Sequence, residues 1–169
     1  MLIKAARILF LLVALSSIGC SQQTKAKTQS SEPLGYVNDY EKVFTALERA
    51  DLENFLSHAD KMTGVQIAVV SIDTSMVSRD SFDNYTLKLF NQWGVGDKQR
   101  NDGILIGFSR SYRMIRIQNG YGIENKMSDQ ATKQIIDSVF TPRFKNGKYY
   151  DGVLEGVNAI LENVQKPQQ

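Results

Sequence analysis

Apolar residues recur along this chain in two rhythms, and each change of rhythm predicts an element. Leu52, Phe55, Leu56, Ala59 and Met62 follow one another at three- and four-residue steps, the spacing of one helical face. Thr45 and Glu48 ahead of them have the S/T-x-x-E form of a capping box, and Gly64 behind them suits a helix stop. Residues 65–72 (VQIAVVSI) are nearly all apolar and rich in β-branched side chains, as in a strand covered on both faces. A helical spacing returns at Phe82, Tyr85, Leu89, Phe90 and Trp93 and stops at Gly94. Two further apolar runs, residues 104–109 and 114–118, flank the polar turn 110–113 and predict an antiparallel hairpin. Strand, helix and strand in that order predict that 65–72 and 104–109 run parallel through a right-handed crossover.

Ser128 is placed to cap a third helix carrying Ile135, Ile136, Val139 and Phe140, with Thr141-Pro142 as its expected end. Tyr150, Val153, Leu154, Val157, Leu161 and Val164 outline a fourth. Within it, Gly152 and Gly156 leave room for a close neighbour, at a cost of about 1 kcal/mol each relative to Ala. Three strands or slightly more with about four helices make an α/β layered domain over residues 35–165.

The hairpin gives the domain a place to look for function. The segment entering its first strand, 97–103, must lie beside the segment leaving its second, 119–124. Asp97, Asp102 and Glu124 are thereby expected at one rim of the sheet, among Gly94, Gly96, Gly103, Gly120 and Gly122.

The first twenty residues stand outside this pattern. Lys4 and Arg7, the apolar run 8–15 and small residues before Cys20 read as a secretory signal peptide. Gly19-Cys20 resembles a bacterial lipobox, with Ser17 where an aliphatic is usual. The expectation is a signal over residues 1–19, lipid-modified Cys20, a flexible polar tether over 20–34 and a disordered tail over 166–169. Ser21 after Cys20 lacks the acidic retention signal, which favours export to an outer membrane, facing the periplasm. The whole chain has 20 basic and 18 acidic residues; without Lys4 and Arg7 it is balanced. A neutral chain with no basic stripe gives no support for nucleic-acid binding, so the expected partner is the membrane, reached through the lipid.

Several segments, taken in order, resemble the TPM domain family. They are Val37-Asn38-Asp39, Phe44-Thr45, Thr63-Gly64-Val65-Gln66-Ile67, residues 89–96 (LFNQWGVG), Asn101-Asp102-Gly103-Ile104-Leu105, Gly120-Tyr121-Gly122-Ile123-Glu124 and Pro142-Arg143-Phe144. The resemblance implies a three-layer α/β/α sandwich with a small mixed sheet. It also implies divalent-cation binding, weak acid phosphatase activity or an auxiliary role beside a membrane-protein complex. Gln118 departs from it, standing where the family often has Glu.

The acidic residues available for such chemistry are Asp39, Asp97, Asp102, Glu124 and Asp129, with Asn101 and Asn119 as neutral oxygen donors. An oxygen-rich set of this kind suits Ca²⁺ or Mg²⁺. Asp39, Asp97, Asp102 and Glu124 are the expected ligands, Asp39 mainly through the resemblance, while Asp129 reads first as a residue of a helical first turn. The coil from Asp39 to Thr45 leaves Asp39 free to sit at either end of the sheet. One cysteine and one histidine, His58, cannot build a typical zinc site, and His58 reads as a surface or core-edge residue. There is no P-loop, no GxGxxG, no cysteine-phosphatase signature and no D-x-D pair. The function expected is therefore a membrane-tethered accessory or interaction module with a Ca²⁺ or Mg²⁺ site at its loop rim. The alternative is a slow metal-dependent acid phosphatase acting on phosphomonoesters.

Overall fold

A computed structural model describes residues 32–166. The expected signal peptide, Cys20 and most of the tether, as well as the end of the tail, lie outside the described residues.

Four strands form one mixed sheet in the order β1-β2-β3-β4: Val37–Asp39, Ile67–Ser71, Ile104–Ser109 and Met114–Asn119. β1, β2 and β3 are parallel, with Val37 opposite Val69 and Val69 opposite Ile106. β4 returns antiparallel, with Ile106 opposite Ile117. The hairpin and the β2–β3 pairing are as the sequence predicts. β1 is an addition: three residues, two of them polar, carry no strand periodicity of their own.

Helix α1 (Ala46–Thr63) begins with the predicted capping box at Thr45 and Glu48 and ends on a left-handed Gly64. Its Leu52, Leu56 and Ala59 are buried, whereas Met62 is exposed. Helix α2 (Phe82–Trp93) follows a single 3₁₀ turn, buries Phe82 and Leu89, and ends on a left-handed Gly94. The two helices take opposite faces, because strand side chains alternate. Val69, Ile104, Ile106 and Phe108 join Leu52 and Leu56 in one core; Ala68, Val70 and Leu105 join Phe82 and Leu89 in the other. β1, β2 and β3 step across the sheet in one direction while their connecting helices lie on opposite faces. The two crossovers therefore have opposite hands, and only one follows the right-handed rule.

After β4 come a short turn of helix, α3 (Tyr121–Glu124), then α4 (Asp129–Ile135), capped by Ser128 as expected. The expected stop at Thr141-Pro142 is not there. A π-helical turn, Ile136–Phe140, carries the chain into α5 (Thr141–Lys145), with Pro142 in that helix's first turn. The widened turn changes the backbone pairing just where proline has no N–H to give, so helical direction continues.

Helix α6 (Tyr149–Gln165) completes the layer on the α1 face. A Cβ built on Gly156 comes within 2.1 Å of the ring tip of Phe140, which is fully buried, and one on Gly152 within 2.7 Å of Phe144. Both glycines are therefore sites of close helix contact. Gly156→Ala should lower stability by about 1–3 kcal/mol, because overpacking against an immobile ring outweighs alanine's better helix propensity. Urea unfolding of the two proteins measures the difference.

Candidate functional site

The predicted rim forms. Gly120 donates its N–H to Gly103 O (2.9 Å) and Gly122 to Asn101 O (2.9 Å), which binds the exit of β4 to the entrance of β3. The loop before β3 folds onto the same place, Asp97 N–H reaching Asp102 Oδ1 at 3.0 Å. Glycine is required here by approach as much as by angle: a Cβ on Gly103 would overlap Val95 O, and one on Gly120 would overlap Asn101 O.

Asp102 is buried at this rim and is already engaged. Besides Asp97 N–H, it forms an ion pair with the Arg100 guanidinium. Burial alone would raise its pKa; the hydrogen bond from Asp97 N–H and the Arg100 pair outweigh that and hold the carboxyl below its ordinary value. A depressed carboxylate pKa contributes stability above the unfolded-state value, near pH 4, and loses it as pH falls through the folded one. Asp102→Asn should accordingly destabilise the domain by about 1–2 kcal/mol at pH 7. The difference from the parent should close as pH drops below about 4, which thermal unfolding from pH 7 to pH 2.5 would show.

Asp97 stays exposed and accepts from Gln99 N–H and Arg100 N–H through Oδ1. Glu124 is exposed, with no ion-pair partner among the described residues. Asp39 is elsewhere. As the last residue of β1 it lies at the carboxyl ends of the parallel strands, the opposite rim from Asp102. There Oδ1 accepts from Val43 N–H (3.0 Å) and Ser71 Oγ (2.5 Å), and Oδ2 from Phe44 N–H (2.9 Å), tying the β1–α1 loop to β2.

The carboxyl rim also holds a group that sequence reasoning passed over. Glu41, buried, accepts from Ser109 Oγ (3.1 Å), Arg110 N–H (2.5 Å) and Ser111 N–H (3.1 Å). Its own N–H donates to Ser71 Oγ at 2.9 Å. Ser71, a hydroxyl near the end of the apolar run 65–72, was the one available signal. Adjacent strands β1 and β2 send their chains to opposite faces here, the kind of crevice where α/β sheets bind ligands. In this chain Asp39, Glu41 and Ser71 fill it with bonds to one another and to backbone.

The four expected cation ligands are thus split between two rims, and Asp39 and Asp102 spend their oxygens on protein donors. Among the described residues no three His, Cys, Asp or Glu side chains converge on one point. That four-carboxylate set does not fit a divalent cation in this arrangement.

The open feature is a groove of about 980 Å³ along β4. Its floor is the free edge of that strand, residues 115–119. One wall comes from α2 (Leu87, Phe90, Asn91) and the other from α4 and the π turn (Asp129, Thr132, Lys133, Ile136). Asp97, Asn101, Tyr121 and Glu124 close the end at the predicted rim. Gln118 lines it too, donating to Thr86 Oγ1 at 2.9 Å, so the departure from Glu is absorbed by a neutral hydrogen bond. Asn119 donates to Thr132 Oγ1 (3.0 Å), while its own buried Oδ1 has no donor among the described residues.

The TPM domain profile matches residues 37–163, nearly all of the described chain. The chain belongs to the TPM domain family. Solved structures similar to this TPM domain include the N-terminal domain of a protein from P. gingivalis, at 29% identity and a TM-score of 0.67, over 76% of this chain and 81% of that one. BA42 from the psychrophilic Bizionia argentinensis is 25% identical, with a TM-score of 0.52 over 74% of this chain and 83% of its own. The N-terminal domain of cg2496 from Corynebacterium glutamicum shares the fold at 12% identity, with a TM-score of 0.58 over 80% and 85%. No curated protein matches the chain.

Proposed function

We propose that this TPM domain is an accessory interaction module, held at the cell envelope by its lipidated N-terminus, whose working surface is the groove along β4. The groove carries the reading: it is large, open along a strand edge, and exposes Leu87 and Tyr121 beside polar backbone. The tether rests on the sequence alone, and no helix of the described residues is long and apolar enough to cross a membrane. Against the phosphatase alternative, neither Asp39 nor Asp102 is free to activate water, since both carboxylates accept from protein donors.

A second reading has one observation in its favour. Asn119 Oδ1, without a donor among the described residues, shares the groove with Asp97 and Glu124, a smaller oxygen set that a Ca²⁺ or Mg²⁺ could draw together.

Hydrolysis of a phosphomonoester such as p-nitrophenyl phosphate, with Ca²⁺ or Mg²⁺ present, separates module from enzyme. The module predicts no turnover above the uncatalysed rate. Metal-dependent turnover abolished by Asp102→Asn, with the fold intact, would establish the phosphatase instead.

A further inference from the structure

β4 is an edge strand, and the register of the hairpin states which of its backbone groups are free. Gly120 and Gly103 form a hydrogen-bonded pair, N–H to O at 2.9 Å. In an antiparallel ladder such pairs alternate, so Gln118 with Leu105, Arg116 with Gly107 and Met114 with Ser109 also point their N–H and C=O inward to β3. Ile115, Ile117 and Asn119 point theirs outward, into the groove. No backbone bond to these outward groups exists among the described residues.

Edge strands usually blunt such a row with proline, bulges or a covering element. Here the row is six residues long, without proline, and is bordered rather than covered. Walls from α2 and from α4 with the π turn flank that edge on its two sides. The charges along the groove are also unbalanced. Lys133 is taken by Asp137 and Arg116 by Asp83. Asp97 shares the exposed Arg100 at 3.7 Å, and of the groove-lining residues this leaves Glu124 and Asp129 at the rim end with Lys98.

From these features we infer that the groove binds an extended segment of a partner polypeptide by strand addition to β4, with a Lys or Arg of that segment set against Glu124 and Asp129. The inference rests on the interaction-module reading and names the chemistry of its partner. Main-chain bonds to Ile115, Ile117 and Asn119 supply affinity, and alternate side chains meet the two walls.

The probe is the octapeptide Lys-Thr-Val-Thr-Val-Thr-Val-Lys, titrated into the isotope-labelled protein and followed by NMR and amide hydrogen exchange. Saturable binding should slow exchange at Ile115, Ile117 and Asn119 at least tenfold and leave Arg116 and Gln118, already bonded to β3, unchanged. The same peptide N-methylated at every residue should bind at least tenfold more weakly. Glu124→Gln with Asp129→Asn, both surface changes, should weaken the parent peptide about threefold and flatten its salt dependence. Binding that ignores N-methylation and protects no alternating set would overturn strand addition while leaving the groove as an interaction surface. No binding at millimolar peptide would overturn it as well. A groove unused by any partner is a separate failure, read by photo-crosslinking from Leu87 and Tyr121 in cells.

Discussion

Replacing Gly103 or Gly120 by alanine should cost about 3 kcal/mol or more, enough to leave much of the protein unfolded at 37 °C. Each glycine faces a carbonyl oxygen of the backbone, Val95 O for Gly103 and Asn101 O for Gly120. A flexible side chain could swing away from an added methyl, but these carbonyls are fixed by the rim. Gly96 N–H bonds to Gln66 Oε1, Asn101 N–H to Asp97 O, and Gly120 N–H to Gly103 O. Gly94→Ala provides the comparison: its φ is +58°, yet nothing lies within 4 Å of an added Cβ. It should lose only the strain of the left-handed conformation, about 1 kcal/mol. Chemical denaturation of the three variants gives the order directly.

Glu41→Ala should rank next, with a loss of about 2–3 kcal/mol. The side chain is 7% exposed and receives one hydroxyl and two backbone N–H groups. Truncation strands those donors at the end of β3, and unmade buried hydrogen bonds cost more than made ones contribute. Glu41→Gln keeps one acceptor oxygen and should recover part of the loss. Because the Arg110 and Ser111 N–H groups open the β3–β4 turn, the alanine variant should also speed exchange at those two amides.

These two sites illustrate what could be read from sequence. Local signals were legible: the capping box at Thr45, the glycine stops at Gly64 and Gly94, the hairpin, and a close helix approach at Gly152 and Gly156, though not the Phe140 and Phe144 rings that make it. The rim followed from the hairpin by geometry alone, so Asp97, Asp102 and Glu124 came to one end as expected. What the sequence left open depends on distant pairing. β1 is three residues long and owes its strand conformation to β2, so Asp39 could not be assigned to a rim until that pairing was known. Arg100 as the partner of Asp102, and Glu41 as an acceptor for the β3–β4 turn, are likewise tertiary facts. Pro142 misled because Thr141 before it takes helical angles after all (φ −59°, ψ −44°), at the end of a π turn that local periodicity does not reveal. The groove itself was invisible for the same reason: periodicity identifies β4 as a strand, but only strand order makes it an edge.

The claim that the β4 groove is where this TPM domain works is tested most directly by site-specific photo-crosslinking in the cells that make it. Crosslinkers replace Leu87 and Tyr121, which line the groove, or Leu47 and Met62, exposed apolar residues away from it. One discrete adduct is expected from the groove positions, competed by the octapeptide, and none from Leu47 or Met62. Adducts from Leu47 and Met62 with none from Leu87 and Tyr121 would contradict it and move the interaction surface to the exposed side of α1.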